Sequence, residues 1–184
     1  MTLSRGRRPP PLLDENKLDE LALRYVGRFA TTRAKLRSYL QRKIRERGWN
    51  GERAPDLNAI VERFARLGYI DDAAYALAKS RSLTGRGYGK RRLGEALRAA
   101  GVDEADGAAA LDLAHTEAVA AALRFAERRK LGPFAARPAD DPRERERAVG
   151  AMVRAGHDFA LARAIVRLAP GCEVDTEELR LVLK

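Results

Sequence analysis

The chain has 184 residues, 45% hydrophobic and 34% charged, with aromatics at only 6%; its apolar material is mostly Leu, Ala and Val, which favours close helix packing over strands. Lys and Arg number 36 against 26 Asp and Glu, a net charge of +10 that points to a polyanionic partner, whether nucleic acid, an acidic protein face or an anionic membrane, although solvated charged faces remain the plain alternative. A lone cysteine, Cys172, excludes an internal disulfide and a thiolate zinc cluster, no run reaches the roughly 18 apolar residues of a membrane span, and the basic start lacks the apolar stretch of a secretion signal, so the expectation is a cytoplasmic protein with no membrane attachment.

Residues 1–13, with Arg5, Arg7, Arg8 and Pro9-Pro10-Pro11, read as a disordered basic arm. Asp14 starts a helix whose stripe is Leu18, Leu21, Ala22, Tyr25, Val26 and Phe29, recurring at three- and four-residue steps. Thr31-Thr32 caps the next, with Leu36, Tyr39, Leu40 and Ile44 inward and Lys35 and Arg37 among its outward cations. A loop holding Trp49 leads to Asp56, which caps a third helix facing inward through Leu57, Ile60, Val61, Phe64 and Leu67 and stopped by Gly68. Asp71-Asp72 opens a fourth helix marked by Tyr75, Leu77 and Ala78; Gly85, Gly87 and Gly89 punctuate an exposed turn; a fifth helix carries Leu93, Ala96, Leu97 and Ala100. After Gly101, Asp103 caps a sixth with Ala109, Leu111 and Leu113. Val119, Ala122, Leu123 and Ala126 line a seventh, Asp141-Pro142 with Glu144 opens an eighth with Ala148, Val149, Met152 and Val153, and Asp158 opens a ninth with Phe159, Ala162, Ile165 and Val166. Residues 171–184 form a tail with room for one or two helical turns.

Self-similarity organises this list. The run from Arg92 to Asp103 is a short amphipathic helix, a glycine stop, an apolar residue and an acidic start, and the run from Arg147 to Asp158 repeats that grammar, while Lys35-Leu36-Arg37 opens in the same way. The expected fold is all-α: about nine short helices in three-helix repeats at 14–70, 71–115 and 116–170, stacked into an elongated, curved array without strands.

Catalytic chemistry is not visible. His115 and His157 sit near helix ends without ligand partners at metal spacing and read as polar terminus residues. Gly85-Arg86-Gly87-Tyr88-Gly89-Lys90 is glycine-rich and basic but lacks the preceding strand and spacing of a phosphate-cradling loop. Asp71-Asp72 is explained by capping. No catalytic residue, metal site or cofactor is assigned. A helix-turn-helix reader of DNA bases is poorly supported, because the third helix of each unit shows few side chains suited to base edges. Basic density falls instead on second helices and the turns before them, which suits phosphates or a partner's carboxylates.

The run Leu67-Gly68-Tyr69-Ile70-Asp71-Asp72-Ala73-Ala74-Tyr75-Ala76, then Gly87-Tyr88-Gly89-Lys90-Arg91-Arg92-Leu93, then Leu97 and Gly101-Val102, resembles the RecX family of regulators of the RecA recombinase. With the flanking repeats the resemblance covers roughly residues 18–169, departing at the long stretch 42–55, at His157 where an aromatic is usual, and at Val119 where another is often seen. It implies an all-helical molecule that docks in the groove of the RecA filament on DNA and restrains ATP hydrolysis, strand exchange and co-protease activity, in the setting of recombination, repair and the SOS response. Partners so implied are the RecA filament and non-specific single- or double-stranded DNA, bound by a monomer. It marks Gly68, Tyr69, Asp71 and Asp72 as junction residues, Gly87, Tyr88 and Gly89 as shaping the turn, and Arg81, Arg86, Lys90 and Arg91 as contact residues, to which the basic density of the second helices adds Lys35 and Arg37. A general DNA-binding or architectural helical-repeat protein is the alternative reading.

Overall fold

The computed structural model describes residues 11–183; residues 1–10 of the expected basic arm lie outside them. Ten α-helices and one 3-10 turn account for the regular structure, and no strand occurs among the described residues, only an isolated bridge between Leu13 and Trp49. None of the described helices is long and apolar enough to cross a membrane. The chain divides into a unit ending at Asp72 and a second unit from Ala73 onward.

The first unit holds α1 (Glu15–Val26), α2 (Arg33–Arg47) and α3 (Leu57–Arg66). Each starts on a side-chain cap that satisfies an orphan N–H of the first turn: Asp14 accepts from the Lys17 amide, Thr32 from Lys35 and Asp56 from Ala59. Leu18, Ala22, Leu36, Leu40, Val61, Phe64 and Ile70 form the core. Leu13, read from the sequence as the end of a disordered arm, is instead fully buried there. Its N–H donates to the Gly48 carbonyl at 3.1 Å and its carbonyl accepts from Asn50 at 2.8 Å, so the Trp49 loop clamps the entry to α1. The stripe of α1 was extended too far: the helix stops at Val26 and Phe29 is exposed, as is Leu67 beyond α3. Asp72 does more than complement a helix dipole. Its buried carboxylate accepts from the Arg33 amide at 3.0 Å and lies 3.7 Å from the Arg33 guanidinium, which ties the end of the unit to the start of α2.

The second unit runs through α4 (Asp72–Gly85), α5 (Lys90–Ala100), α6 (Glu104–Thr116), α7 (Ala118–Arg129), the 3-10 turn Gly132–Phe134, α8 (Pro142–Arg154), α9 (Phe159–Arg167) and α10 (Thr176–Leu181). One cluster gathers Ala76, Leu83, Leu93, Leu97, Ala100, Val102, Ala110 and Ala114; another gathers residues of α7, α8 and α9 around Phe125, Met152, Leu161 and Ile165. Half-buried Tyr88 packs against both. The phases of α4 and α6 differ from the sequence reading. α6 turns Gly107, Ala110 and Ala114 inward, leaving Ala109 exposed, and α4 presents Ala76, Ser80, Leu83 and Thr84 while Ala78 faces solvent. Small residues let the helices approach closely enough for the Ser80 hydroxyl to donate to the Ala110 carbonyl at 2.9 Å. Phe159, expected inward, is 59% exposed, because Leu161, Ala162, Ile165 and Val166 supply the buried face of α9. The tail folds as α10 and returns Leu179 to the core.

The helix–glycine–acid grammar has one physical form. After α3, Gly68 donates to the Ala65 carbonyl and Tyr69 to Phe64; after α5, Gly101 donates to Arg98 and Val102 to Leu97; after α8, Gly156 donates to Val153 and His157 to Met152. These are Schellman turns, which satisfy the last carbonyls and place the C′ residue in left-handed conformation. The φ angles of +78°, +67° and +96° at these glycines follow. Asp103 and Asp158 then cap α6 and α9 through their carboxylates. At Gly68 no atom lies within 4 Å of where a Cβ would be, so replacement there tests conformation alone. Gly68→Ala should lower the unfolding free energy by about 1–2 kcal/mol and Gly68→Asn by visibly less, read from urea unfolding monitored by circular dichroism.

Candidate partner-binding surface

The sequence singles out a glycine-rich basic turn, and the structure shows how it is made. At the end of α4, Gly87 (φ +77°) donates to the Thr84 carbonyl at 2.8 Å and Tyr88 to Leu83 at 3.0 Å, a further Schellman turn. Gly89 then serves as N-cap of α5 with no side-chain hydrogen bond. Its backbone lies against the glycine turn after α8: the Gly89 N–H donates to the Ala155 carbonyl at 3.0 Å and the Arg91 N–H to Gly156 at 3.2 Å. A Cβ on Gly89 would sit 2.2 Å from the Gly156 oxygen, and one on Gly156 would sit 2.4 Å from the Arg92 nitrogen. The turn is therefore a buried joint, with Gly87 and Gly89 both buried, and the expectation of an exposed turn is corrected.

Side chains from α7 and from the turn after α8 add further hydrogen bonds to carbonyls of this turn. Arg124 on α7 donates to the Thr84 carbonyl at 3.2 Å, Arg128 donates to Arg86, and His157 lies with Nε2 3.1 Å from the Gly87 oxygen. A carbonyl only accepts, so Nε2 must carry the hydrogen. His157 is buried, its ring centroid 5.5 Å from that of Phe125, and is no polar terminus residue. Burial pushes the imidazole below the ordinary histidine range, partly offset by the bond to Gly87.

Around the joint the expected contact residues divide. Arg81 and Lys90 are exposed. Arg86 folds over the Tyr88 ring at 5.6 Å while donating to the Ser82 carbonyl. Arg91 reaches back to the Val153 carbonyl, which makes it a tie within the unit as well as a surface cation. Lys35, half-buried, and Arg37, exposed, stand on α2 of the first unit. The sequence shows Arg147 and the Arg128-Arg129 run as basic, but not that the fold collects them into a second set of cations. Arg92, Arg128, Arg129, Arg147 and Arg154 line an open groove of about 640 Å³ beside Tyr88 and Phe125. The run Arg128-Arg129 at the end of α7 was the available signal, but α5, α7 and α8 meet here only through tertiary packing. Among the described residues no cluster of His, Cys, Asp and Glu has the make-up of a metal site.

Comparison with known proteins now becomes informative. The family model described as RecX, second three-helix domain, matches residues 71–111, which hold α4, α5 and most of α6. Regulatory protein RecX of Myxococcus xanthus (strain DK1622) is 31% identical over 173 residues, spanning 90% of this chain and 92% of that protein. Regulatory protein RecX of Thermobifida fusca (strain YX) is 35% identical over 161 residues, spanning 84% and 81%. Among solved structures, RecX from Lactobacillus salivarius superposes with a TM-score of 0.59 over 90% of this chain and 96% of that one at 19% identity, a likeness in fold.

Two outcomes follow from the joint. Gly89→Ala should destabilise by about 1–3 kcal/mol through overpacking, whereas Gly85→Ala, where nothing lies within 4 Å of a Cβ, should be neutral or slightly stabilising in the same urea titration. Because the fold favours neutral His157, the unfolded chain binds more protons in acid. That contribution is fully present above the ordinary histidine pKa of about 6.5 and is lost as pH falls through this value toward the depressed folded one. Unfolding midpoints between about pH 7.5 and pH 5 should fall more steeply for the wild type than for His157→Gln.

Proposed function

The chain belongs to the RecX family of regulatory proteins, and on that premise we propose that it is a non-enzymatic modulator of the RecA recombinase. It binds in the groove of the RecA filament on DNA and restrains ATP hydrolysis, strand exchange and co-protease activity, which places it in recombination, repair and the SOS response of the cytoplasm. The observation that carries this reading is likeness to regulatory RecX proteins over nearly their whole length. The three-repeat division at 14–70, 71–115 and 116–170 belongs to the same proposal and is supported by three apolar clusters, each drawn mainly from one of these spans.

The contact residues we propose are Arg81, Arg86 and Lys90 on the second unit and, taken separately, Lys35 and Arg37 on the first. The surplus of cations supports contact with the DNA of the filament, where each neutralised phosphate releases counterions. The buried turn changes the assignment within the second unit. Gly87 and Tyr88 act by shaping the joint from which the cations project, and Arg91 contributes to both structure and surface.

Titration of this protein into a RecA–DNA filament at fixed DNA should suppress ATPase activity at less than one molecule per filament subunit. The double charge reversal Arg81→Glu with Lys90→Glu should raise the concentration for half-suppression several-fold at unchanged helicity. Suppression that appears only when the protein outcompetes RecA for DNA, and vanishes with added salt, would instead favour the general DNA-binding alternative.

A further inference from the structure

The groove walled by arginine has a chemistry of its own. Arg147 and Arg154 lie seven residues apart on α8, so they project from one face about 10 Å apart along the axis. Ala148, Ala151 and Ala155 lie between and beside them on the lining, joined by Leu131. From α7 come Arg128 and Arg129. Arg128 lies 5.6 Å from the Phe125 ring centroid and 5.8 Å from that of Tyr88, and Arg129 lies 5.9 Å from Phe125. Arg92 of α5 also lines the groove and lies 3.4 Å from Glu95. Stacked guanidinium groups are pre-oriented, so less side-chain entropy is lost when a ligand arrives.

The charges here lack internal balance. Among the described lining residues Glu144 is the sole carboxylate, and it is engaged by Arg137 at 2.8 Å. Arg129, Arg147 and Arg154 have no carboxylate at ion-pair distance among the described residues. The floor is methyl and aromatic surface with no side-chain donors apart from Tyr88. A phosphodiester strand would meet the arginine walls but would have to lay hydrated phosphates over alanine and leucine, at a desolvation cost that nothing on the floor offsets. A peptide with carboxylates on its flanks and small apolar residues between them satisfies walls and floor together.

We propose that the groove between α7 and α8 is a docking site for an acidic, amphipathic segment of a protein partner, held by Arg128, Arg129, Arg147 and Arg154 over the alanine face of α8. The proposal rests on the regulatory reading only in expecting a protein partner, and its test needs no recombinase.

The probe is a fluorescein-labelled 20-residue peptide of Glu, Leu and Ala with carboxylates flanking an apolar stripe, titrated with the full chain by anisotropy. A Lys-for-Glu peptide and a labelled oligothymidylate of equal length serve as comparisons. The acidic peptide should bind and the basic one should not. Arg147→Glu with Arg154→Glu should weaken the acidic peptide at least tenfold and the oligonucleotide less than twofold, with Arg24→Glu, an exposed cation of α1, as the surface-charge control. Ala151→Trp, which fills the floor and keeps every charge, should weaken the peptide as well; unchanged circular dichroism establishes that each variant is folded. Failure of the wild type to bind the acidic peptide overturns the proposal. So does loss of oligonucleotide binding with the peptide unaffected, which would assign the groove to nucleic acid. If the peptide binds as described while RecA ATPase suppression is absent, the regulatory reading fails and the groove stands; if the Arg147/Arg154 variant binds peptide like the wild type while suppression is intact, the converse holds.

Discussion

The second unit depends on the contact of two backbone turns. The glycine turn after α4 and the glycine turn after α8 press together backbone to backbone, at separations that exclude a single extra carbon on Gly89 or Gly156. Each turn is first stabilised within its own helix by two Schellman hydrogen bonds, and only then offers its remaining groups to the other. The Gly89 and Arg91 amides find the carbonyls of Ala155 and Gly156, and the Gly87 carbonyl finds His157. A buried joint with orphaned amides or carbonyls would be costly; here these groups are matched one to one. That requirement accounts for glycine at Gly89 and Gly156 and for the burial of the histidine, a residue that would otherwise be an odd choice for a core; Gly87 is held instead by its left-handed φ and by the Phe125 backbone of α7, 2.8 Å from where a Cβ would be.

Satisfying the joint also organises the surface. Arg124 and Arg128 reach from α7 to cap carbonyls at the end of α4 and in the turn, and Arg128 in doing so lies against Tyr88 and Phe125. The same side chain thus finishes a helix terminus and forms one wall of the groove. The structural and the recognitional uses of arginine are not separate populations of residues. Signature residues of the turn contribute to binding by fixing where cations stand, while cations farther along the chain supply the charge.

Helix starts were legible in the sequence because capping is local: Asp14, Thr32, Asp56, Asp103, Asp141 and Asp158 each cap the helix expected of them. Helix ends at Gly68, Gly101 and Gly156 were equally legible, since left-handed backbone leaves glycine as the ready solution. Helix phase was lost where alanine dominates. Around Ala108-Ala109-Ala110 an apolar residue stands in every phase, and only the close approach of α4 selects Ala110. Ser80 and Thr84 were passed over because inward-facing hydroxyls bonded to backbone do not register as hydrophobic periodicity. Leu13 escaped notice because its place is fixed by a bridge to the Trp49 loop, a pairing across more than thirty residues that no local pattern carries. At the site, the resemblance picked out the turn but not its burial, and the groove was invisible because its arginines come from three helices.

Several cations elsewhere in the chain are paired close at hand. Arg63 meets Asp19, Arg42 and Lys43 meet Glu46, and Arg33 lies between Glu62 and Asp72. In the groove, Arg129, Arg147 and Arg154 have no such partner among the described residues, and Glu144 is turned to Arg137. Like charges gathered along one cleft repel, and over an apolar floor they are screened less well than on an open surface. Nothing in the packing of α7 against α8 calls for them: Val119, Ala122, Phe125, Ala126 and Met152 supply that contact without any charge. A charge density that folding does not need, and that costs something to keep, is accounted for by what it meets outside the chain. The methyl floor beneath it narrows that counterpart further, from any anion to one that also brings apolar surface.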